Sequence, residues 1–214
     1  SEVGIITLTP VAINYLSAGD VTGDESVHIG RFIPDSFEIK IDQFDPVCSD
    51  SFTYAGHYNL KIGQQFPAIG TITALNVAGN PTLNYVNDVN EANDFAKLTE
   101  SDIAVFPYVK TDEGSYELAE GVLSPSFSNA LDFIDGTSAW SDEFLFDFND
   151  LSSPVQIFLR VTAEEPEDDD GVAGDSGVVE DLSVEFRYGR MVLDNAYGPE
   201  TMPLGIPVRT EYFN

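Results

Sequence analysis

Short apolar runs, each ended by Gly, Pro, Asn or Asp, recur along the whole chain and limit the folds it can adopt. In the run FEIKI, Phe37, Ile39 and Ile41 alternate with two charged residues. This period of two places the apolar side chains on one face of a β-strand. Runs of similar character are VGIITLTP, IAVFPYVKT, VQIFLRVTA and LSVEFRYGRMVL. Many short strands separated by turn residues predict an all-β chain built of Ig-like β-sandwiches.

Helical signals are weak by comparison. Residues 90–102 (NEANDFAKLTESD) and the segment SNALDFI could each form a turn or two of helix. Neither segment carries a long amphipathic repeat, which is the main signature of a helix that packs on a core. We therefore expect little helix.

An acidic stretch at residues 164–181 interrupts the strand pattern. Its sequence, EEPEDDDGVAGDSGVVED, holds nine Asp or Glu residues and neither Lys nor Arg. Like charges at this density favour an extended, solvated segment. We therefore divide the chain into terminal strands and a lead-in over 1–30, an Ig-like sandwich over 31–163, an acidic loop or linker over 164–181, and a C-terminal β segment over 182–214. The last segment forms either a second sandwich or part of the first.

The charge of the chain restricts its partners. Its 37 acidic residues outnumber 9 basic residues and give a formal net charge of −28. So much negative charge repels phosphate backbones, so we expect no nucleic-acid partner. The apolar runs are far shorter than the ~20 residues that span a bilayer as a helix, so we expect no membrane span.

Calcium is the cofactor that the acidic stretch suggests. Hard cations take clustered oxygen ligands, and Asp168, Asp170 and Asp175 supply carboxylates around the turn residue Gly171. The spacing differs from an EF-hand, because aligning Gly171 with the invariant glycine would make Pro166 the first ligand. The stretch is therefore either an irregular calcium site or a solvated loop.

The sequence GDSG within this stretch raises the question of a serine protease. His57, Asp102 and Ser176 occur in the chain order of a trypsin-like triad. However, Tyr58 and Val178 stand where that family has a cysteine and a glycine, and a single cysteine cannot form its disulfides. The acidic surroundings of the serine would also oppose a developing oxyanion. We expect no enzyme here.

Trp140 is the only tryptophan and bears on a different function. An exposed tryptophan would offer a stacking platform for sugars, whereas a buried one would belong to the core. We favour the core position. A row of exposed aromatic residues around Trp140 would instead indicate a carbohydrate-binding module.

Several longer blocks resemble a domain of the MSHA-pilus biogenesis protein MshQ and related secreted proteins of Gram-negative bacteria. These blocks include EVGIITLT, GRFIPDSF, FTYAG, ITALNVAGNPTLNY and FRYGRMVLDNAYGPETMPLGIPVRTEYFN. The fourth block also resembles bacterial Ig-like repeats. The resemblance implies an extracellular or cell-surface, pilus-associated protein of adhesin type, whose partners are other domains of the same large protein or pilus components. It supplies no catalytic residue.

These observations together predict a non-enzymatic structural or adhesive module outside the cell. A carbohydrate-binding module that recognises a surface glycan is the alternative. A secreted hydrolase is the third hypothesis, and it would require a concave site with convergent histidine and aspartate side chains.

Overall fold

The computed structural model describes residues 4–27, 29–48, 51–57, 63–87, 95–150, 152–166, 171–198 and 203–212. Within these residues the chain forms fifteen strands and two short 3-10 turns, Tyr15–Ser17 and Glu100–Asp102. The strands are β1 Gly4–Ile6, β2 Val11–Ala12, β3 Val21–Thr22, β4 Ile29–Phe32, β5 Ser36–Phe44, β6 Thr53–His57, β7 Phe66–Leu75, β8 Ile103–Lys110, β9 Tyr116–Leu118, β10 Gly121–Ser124, β11 Thr137–Phe148, β12 Val155–Glu164, β13 Ala173–Asp175, β14 Ser183–Leu193 and β15 Val208–Tyr212. The prediction of an all-β chain with little helix is confirmed.

Eleven strands join in one sheet that closes on itself. Its order is β15-β14-β6-β11-β7-β5-β13-β12-β8-β9, with β10 paired to β11. A further pairing of β14 with β12 closes a ring through β6, β11, β7, β5 and β13. The core is therefore barrel-like.

The Ig-like sandwich that the sequence predicted is not confirmed. Strand β12 pairs with β8 along one edge and with both β13 and β14 along the other. Through these pairings the strands belong to one continuous sheet, whereas a sandwich would divide them between two sheets. Three pairings are also parallel: β6 with β11, β6 with β14, and β5 with β13. Alternation along a strand reports which face is buried. It carries no information about which strand lies alongside, so it could not predict this closure.

The barrel is filled by side chains from alternate positions of its strands. In β5, Phe37, Ile39 and Ile41 are buried while the charged residues between them are exposed, as the period of two predicted. Five phenylalanines from four strands form the centre of the core: Phe44, Phe66, Phe144, Phe146 and Phe186. Their edge-to-face contacts, such as the 5.1 Å between the ring centroids of Phe66 and Phe186, each contribute about 0.5–1.5 kcal/mol beyond burial.

Trp140 lies in this core, 2% exposed, which confirms the core position that we favoured. Its ring packs over Gly70 of the neighbouring strand β7. A Cβ atom on Gly70 would lie 2.5 Å from Trp140 Cζ2 and 2.1 Å from the carbonyl oxygen of Lys40. Position 70 therefore requires glycine, because a larger residue would collide with the indole ring and with the backbone of β5.

Strand β14 connects the barrel to the C-terminal hairpin without interruption. Its first half pairs with β12 and β6, and its second half pairs with β15. In contrast, β1–β4 and β2–β3 form small sheets outside the main one, and their apolar side chains are largely exposed. The part of the chain that the structure describes contains no helix with the length and apolar character needed to cross a membrane.

Candidate functional site

An open groove lies on the outer face of the sheet where β8, β9, β12 and β13 meet. In β12, the side chains of Ile157, Leu159 and Val161 fill the core, so the alternating residues Arg160 and Thr162 face outward. The groove has a volume of about 720 Å³. That volume falls within the ~300–1,000 Å³ typical of small-ligand sites.

Arg160 forms the polar centre of this groove. Its Nε donates to Asp175 Oδ1 at 2.9 Å, and its Nη2 donates to Asp175 Oδ2. Its Nη1 donates to the Tyr108 hydroxyl at 3.1 Å. The backbone amide of Gly177 also donates to Asp175 Oδ1, at 2.8 Å. The planar guanidinium is thus held by Asp175 on β13 and by Tyr108 on β8, and both strands belong to the main sheet.

The ion pair at this centre has a clear electrostatic consequence. Hydrogen bonds from the Arg160 guanidinium hold the pKa of the Asp175 carboxyl below its usual range. Hydrogen bonding to Asp175 likewise raises the pKa of Arg160. Both groups therefore stay ionised at neutral pH, and their charges offset each other within the groove.

Apolar side chains flank the polar centre. Phe106 lies directly opposite Arg160 on β8 and is 37% exposed, and Leu118 on the edge strand β9 is 58% exposed. Glu164 is a further lining residue. The groove therefore combines a fixed polar cluster with apolar walls that are open to solvent.

A second charged cluster lies on the same face, beyond the groove. The Tyr116 hydroxyl donates to Glu180 at 2.9 Å, and Lys110 Nζ lies 3.3 Å from the same carboxylate. The hydrogen bond from Tyr116 and that from Lys110 lower the pKa of Glu180. The ring of Tyr116 packs edge-on against Phe158 with 5.1 Å between centroids. This cluster fixes the short strand β9 against β8 and β12.

Arg187 forms a third arrangement, where β14 passes from the barrel to the hairpin. Its guanidinium carbon lies 4.0 Å from the centroid of the Phe52 ring and 4.7 Å from that of Tyr212. Its Nε donates to Glu185, two residues earlier on the same strand face. The cation thus joins the residue that precedes β6 to the edge strand β15.

Family models account for most of the chain. Residues 2–183 match the model described as DUF6701, third domain. The chain belongs to the DUF6701 family. Residues 187–214 match the model described as DUF6701, fourth domain, so the boundary between the two matches falls within β14. No curated protein and no solved structure matches the chain.

This DUF6701 match leaves the MshQ resemblance and the pilus setting as predictions, because neither model description refers to them. The long C-terminal block of that resemblance, residues 186–214, coincides with the fourth-domain match over residues 187–214. The described part of that block includes most of β14 and all of β15.

Of the three predicted calcium ligands, Asp175 is the one that the structure describes. Asp168 and Asp170 lie outside the residues that the structure describes. Asp175 lies on β13, where its carboxylate binds Arg160 and the Gly177 amide. Among the described residues there is no group of three or more His, Cys, Asp or Glu side chains placed to hold a metal ion. The calcium site stays a prediction.

The residues of the protease motif have structural contacts. Ser176 Oγ donates to the Gly177 carbonyl at 2.7 Å and accepts from the Val161 amide at 2.9 Å, which connects the end of β13 to β12. The Asp102 carboxylate accepts from the Thr99 amide at 2.8 Å and caps a 3-10 turn. The His57 side chain is not among those described.

The sequence singled out Asp175 as a candidate calcium ligand, but it did not predict Arg160 or Tyr108 as part of a site. Asp175 lies 15 residues after Arg160, and much of the acidic stretch falls between them, so the pairing depends on how that stretch returns to the sheet. One signal was available: Arg160 is one of nine basic residues in the chain, and it stands within an otherwise apolar strand run. A cation in such a run needs an acidic partner on the outer face.

Proposed function

We propose that this DUF6701 segment is a non-enzymatic structural and adhesive module of a cell-surface protein, with the groove around Arg160 as its binding face. The observation that carries the proposal is the polar centre of Arg160, Asp175 and Tyr108, which is held in place between the exposed side chains of Phe106 and Leu118. Polar groups already fixed in one geometry lose little entropy when a ligand binds.

The structural part of the function rests on β14. One continuous strand belongs to both family matches and pairs with β12, β6 and β15 in turn. A force applied to the hairpin is therefore transmitted to the barrel along one continuous strand. The Arg187 contacts with Phe52 and Tyr212 support this junction.

The extracellular, pilus-associated setting is supported by the resemblance of the C-terminal block to MshQ and its relatives. Other domains of the same large protein, or pilus components, are the partners on the structural side. A surface component, such as a glycan, is the partner on the groove side. The net charge of −28 keeps such a module soluble and is well screened in salty surroundings.

Adhesion under flow tests the binding part of the proposal. Microspheres coated with the chain are passed over chitin-coated, mucin-coated and bare glass, and the retained fraction is counted. We expect retention on a coated surface that falls several-fold in the double variant Phe106→Ser with Leu118→Ser. The matched control is Phe32→Ser with Leu83→Ser, which replaces similarly exposed residues away from the groove.

Two results contradict the proposal. Equal retention of the groove variant and the wild-type chain would remove the groove as the binding face. Release of soluble fragments from either coating by the wild-type chain, and their absence with heat-denatured chain, would show hydrolysis and would replace the adhesive assignment with an enzymatic one.

A further inference from the structure

The groove around Arg160 has a chemistry that selects one class of ligand. We propose that it binds a neutral saccharide, with sugar hydroxyls on the Arg160–Asp175–Tyr108 cluster and a carbon–hydrogen face of the sugar ring on Phe106. This inference rests on the proposed function, since it names the ligand class of the same binding face.

The polar cluster offers both donors and acceptors to a ligand. A guanidinium has five N–H donors, and Asp175 and Tyr108 take three of those of Arg160, which leaves two. The Tyr108 hydroxyl accepts from Arg160, and within the described residues its own hydrogen has no acceptor in the structure. The Asp175 side chain is 42% exposed and has lone pairs beyond those that Arg160 and Gly177 use. Neighbouring sugar hydroxyls, each a donor and an acceptor, match such a mixed set.

The charge balance of the groove favours a neutral ligand over an anionic one. Among the residues that the structure describes, Arg160 is the one basic residue lining the groove, and its charge is offset by Asp175. Glu164 adds a second carboxylate to the lining. The net charge of −28 on the whole chain adds repulsion for sulfated or sialylated sugars and for other anions.

The apolar wall is placed to contact the carbon–hydrogen face of a sugar. Phe106 and Arg160 are directly opposite each other in the antiparallel pair of β8 and β12, so their Cβ atoms are about 5 Å apart. One ligand ring can therefore touch the phenyl group and reach the guanidinium at once. Leu118 extends the same wall toward the edge strand. A ligand with one polar and one apolar face, as in a pyranose, uses both features.

Nuclear magnetic resonance titration of the isotope-labelled chain tests the inference. The probes are chitobiose, cellobiose, maltotriose, mannobiose and N-acetyllactosamine as neutral saccharides, with sialyllactose and a heparin disaccharide as anionic ones. We expect at least one neutral saccharide to shift the amides of Phe106, Tyr108 and Arg160 in a saturable way. Phe106→Ser should weaken its binding about tenfold, because the phenyl face that contacts the sugar ring is lost. Phe32→Ser should leave the binding unchanged.

A second variant probes the charge argument. Asp175→Asn keeps the shape of the side chain but removes the charge that offsets Arg160. It should weaken binding of the neutral saccharide and strengthen that of sialyllactose at low salt. Unchanged preference in this variant would overturn the charge argument and, with it, the assignment to neutral ligands.

The remaining outcomes separate this inference from the proposed function. Absence of saturable shifts at the groove with any neutral saccharide at millimolar concentration, tighter binding of the anionic sugars, or equal binding by Phe106→Ser would each overturn the saccharide inference. If microsphere retention still depends on Phe106 and Leu118 in that case, the adhesive function stands with a ligand of another class. If retention is also independent of the groove, both proposals fail.

Discussion

The Tyr85 hydroxyl donates a hydrogen bond to Glu165 Oε1 at 2.5 Å, and both side chains are almost fully buried. The same hydroxyl accepts from the amides of Lys97 and Leu98, each at 3.0 Å. Glu165 stands at the start of the acidic stretch, and Tyr85 lies in the connection between β7 and β8. One phenol thus fixes two long connections against the barrel, since a buried hydroxyl and a buried carboxyl each require polar partners.

Removing the hydroxyl group of Tyr85 should destabilise the folded chain more than the loss of a single atom suggests. Tyr85→Phe keeps the ring, which packs edge-on against Phe37 and Phe133, but removes the donor to Glu165 and the acceptor for two amides. We expect a loss of about 1–3 kcal/mol in the free energy of unfolding, measured by urea denaturation. Tyr197→Phe is the matched control, because that side chain is 92% exposed and should show no change. Equal effects of the two substitutions would refute the role assigned to the buried pair.

Tyr85 should also make stability fall at high pH. Burial, reinforced by the hydrogen bond with Glu165, raises the pKa of Tyr85 above the ordinary value of 10.0. The folded state therefore keeps a proton that the unfolded chain releases above that pH. The contribution is fully present below pH 10 and is lost as the pH rises toward the pKa of the folded state, by up to about 1.4 kcal/mol per pH unit.

Unfolding curves of the wild type and Tyr85→Phe between pH 8 and 11.5 measure this effect. The two free energies of unfolding should differ by a constant amount up to about pH 10 and should converge above it. The other tyrosines are present in both proteins, so their titration cancels in the difference. A difference that stays constant to pH 11.5 would contradict the raised pKa.

Several long strands of this fold could be predicted from the sequence, whereas the short strands, such as β13, and the arrangement of the strands could not. The alternation of Phe37, Ile39 and Ile41 identified β5 because one face of that strand lies against the core. The pairing of β12 with three different strands depends on contacts between residues far apart in the chain. Apolar patterns record burial alone, so the barrel-like closure was indistinguishable from two facing sheets.

The pairing of Asp175 with Arg160 could not be predicted for a related physical reason. The density of like charges predicts that the acidic stretch is solvated, and its clustered carboxylates suggest a metal site. Neither pattern predicts an ion pair with a distant arginine. In the structure the stretch returns to the sheet at β13, where Asp175 meets Arg160, and Glu165 is buried against Tyr85. Individual carboxylates in a charged run can be stabilised by specific partners. Composition averages over such partners and cannot identify them.

The Arg187 contacts should control how firmly the C-terminal hairpin is attached. Arg187→Ala removes a cation that lies between the rings of Phe52 and Tyr212, at a cost of about 1–2 kcal/mol for partly buried cation–π contacts. We expect faster amide hydrogen exchange in β15 and little change in β5 and β7, because those strands pair elsewhere in the barrel.

Arg209→Ala provides the control for that experiment. Arg209 lies on β15 itself and pairs with Asp194 and Glu211, but its side chain is 58% exposed, and exposed ion pairs contribute little. Its loss should leave hydrogen exchange in β15 nearly unchanged. If Arg209→Ala loosens the strand as much as Arg187→Ala does, the stacking between the two rings is not what attaches the hairpin.

The two interpretations of the acidic stretch, an irregular calcium site or a solvated loop, predict different melting behaviour. A directed site that forms in the folded state alone should raise the melting temperature with the logarithm of calcium concentration. Sodium at equal ionic strength should do much less, since screening involves no ligation.

Asp168→Ala with Asp170→Ala should abolish the rise in melting temperature that calcium causes. Asp112→Ala with Glu113→Ala, on an exposed turn between β8 and β9, should retain it. Asp175 already binds Arg160, so Asp175→Asn should leave most of the increment in place. Equal shifts with calcium and matched sodium, together with slight stabilisation by the Asp168 and Asp170 substitutions, would show that the stretch is a solvated loop whose carboxylates repel one another.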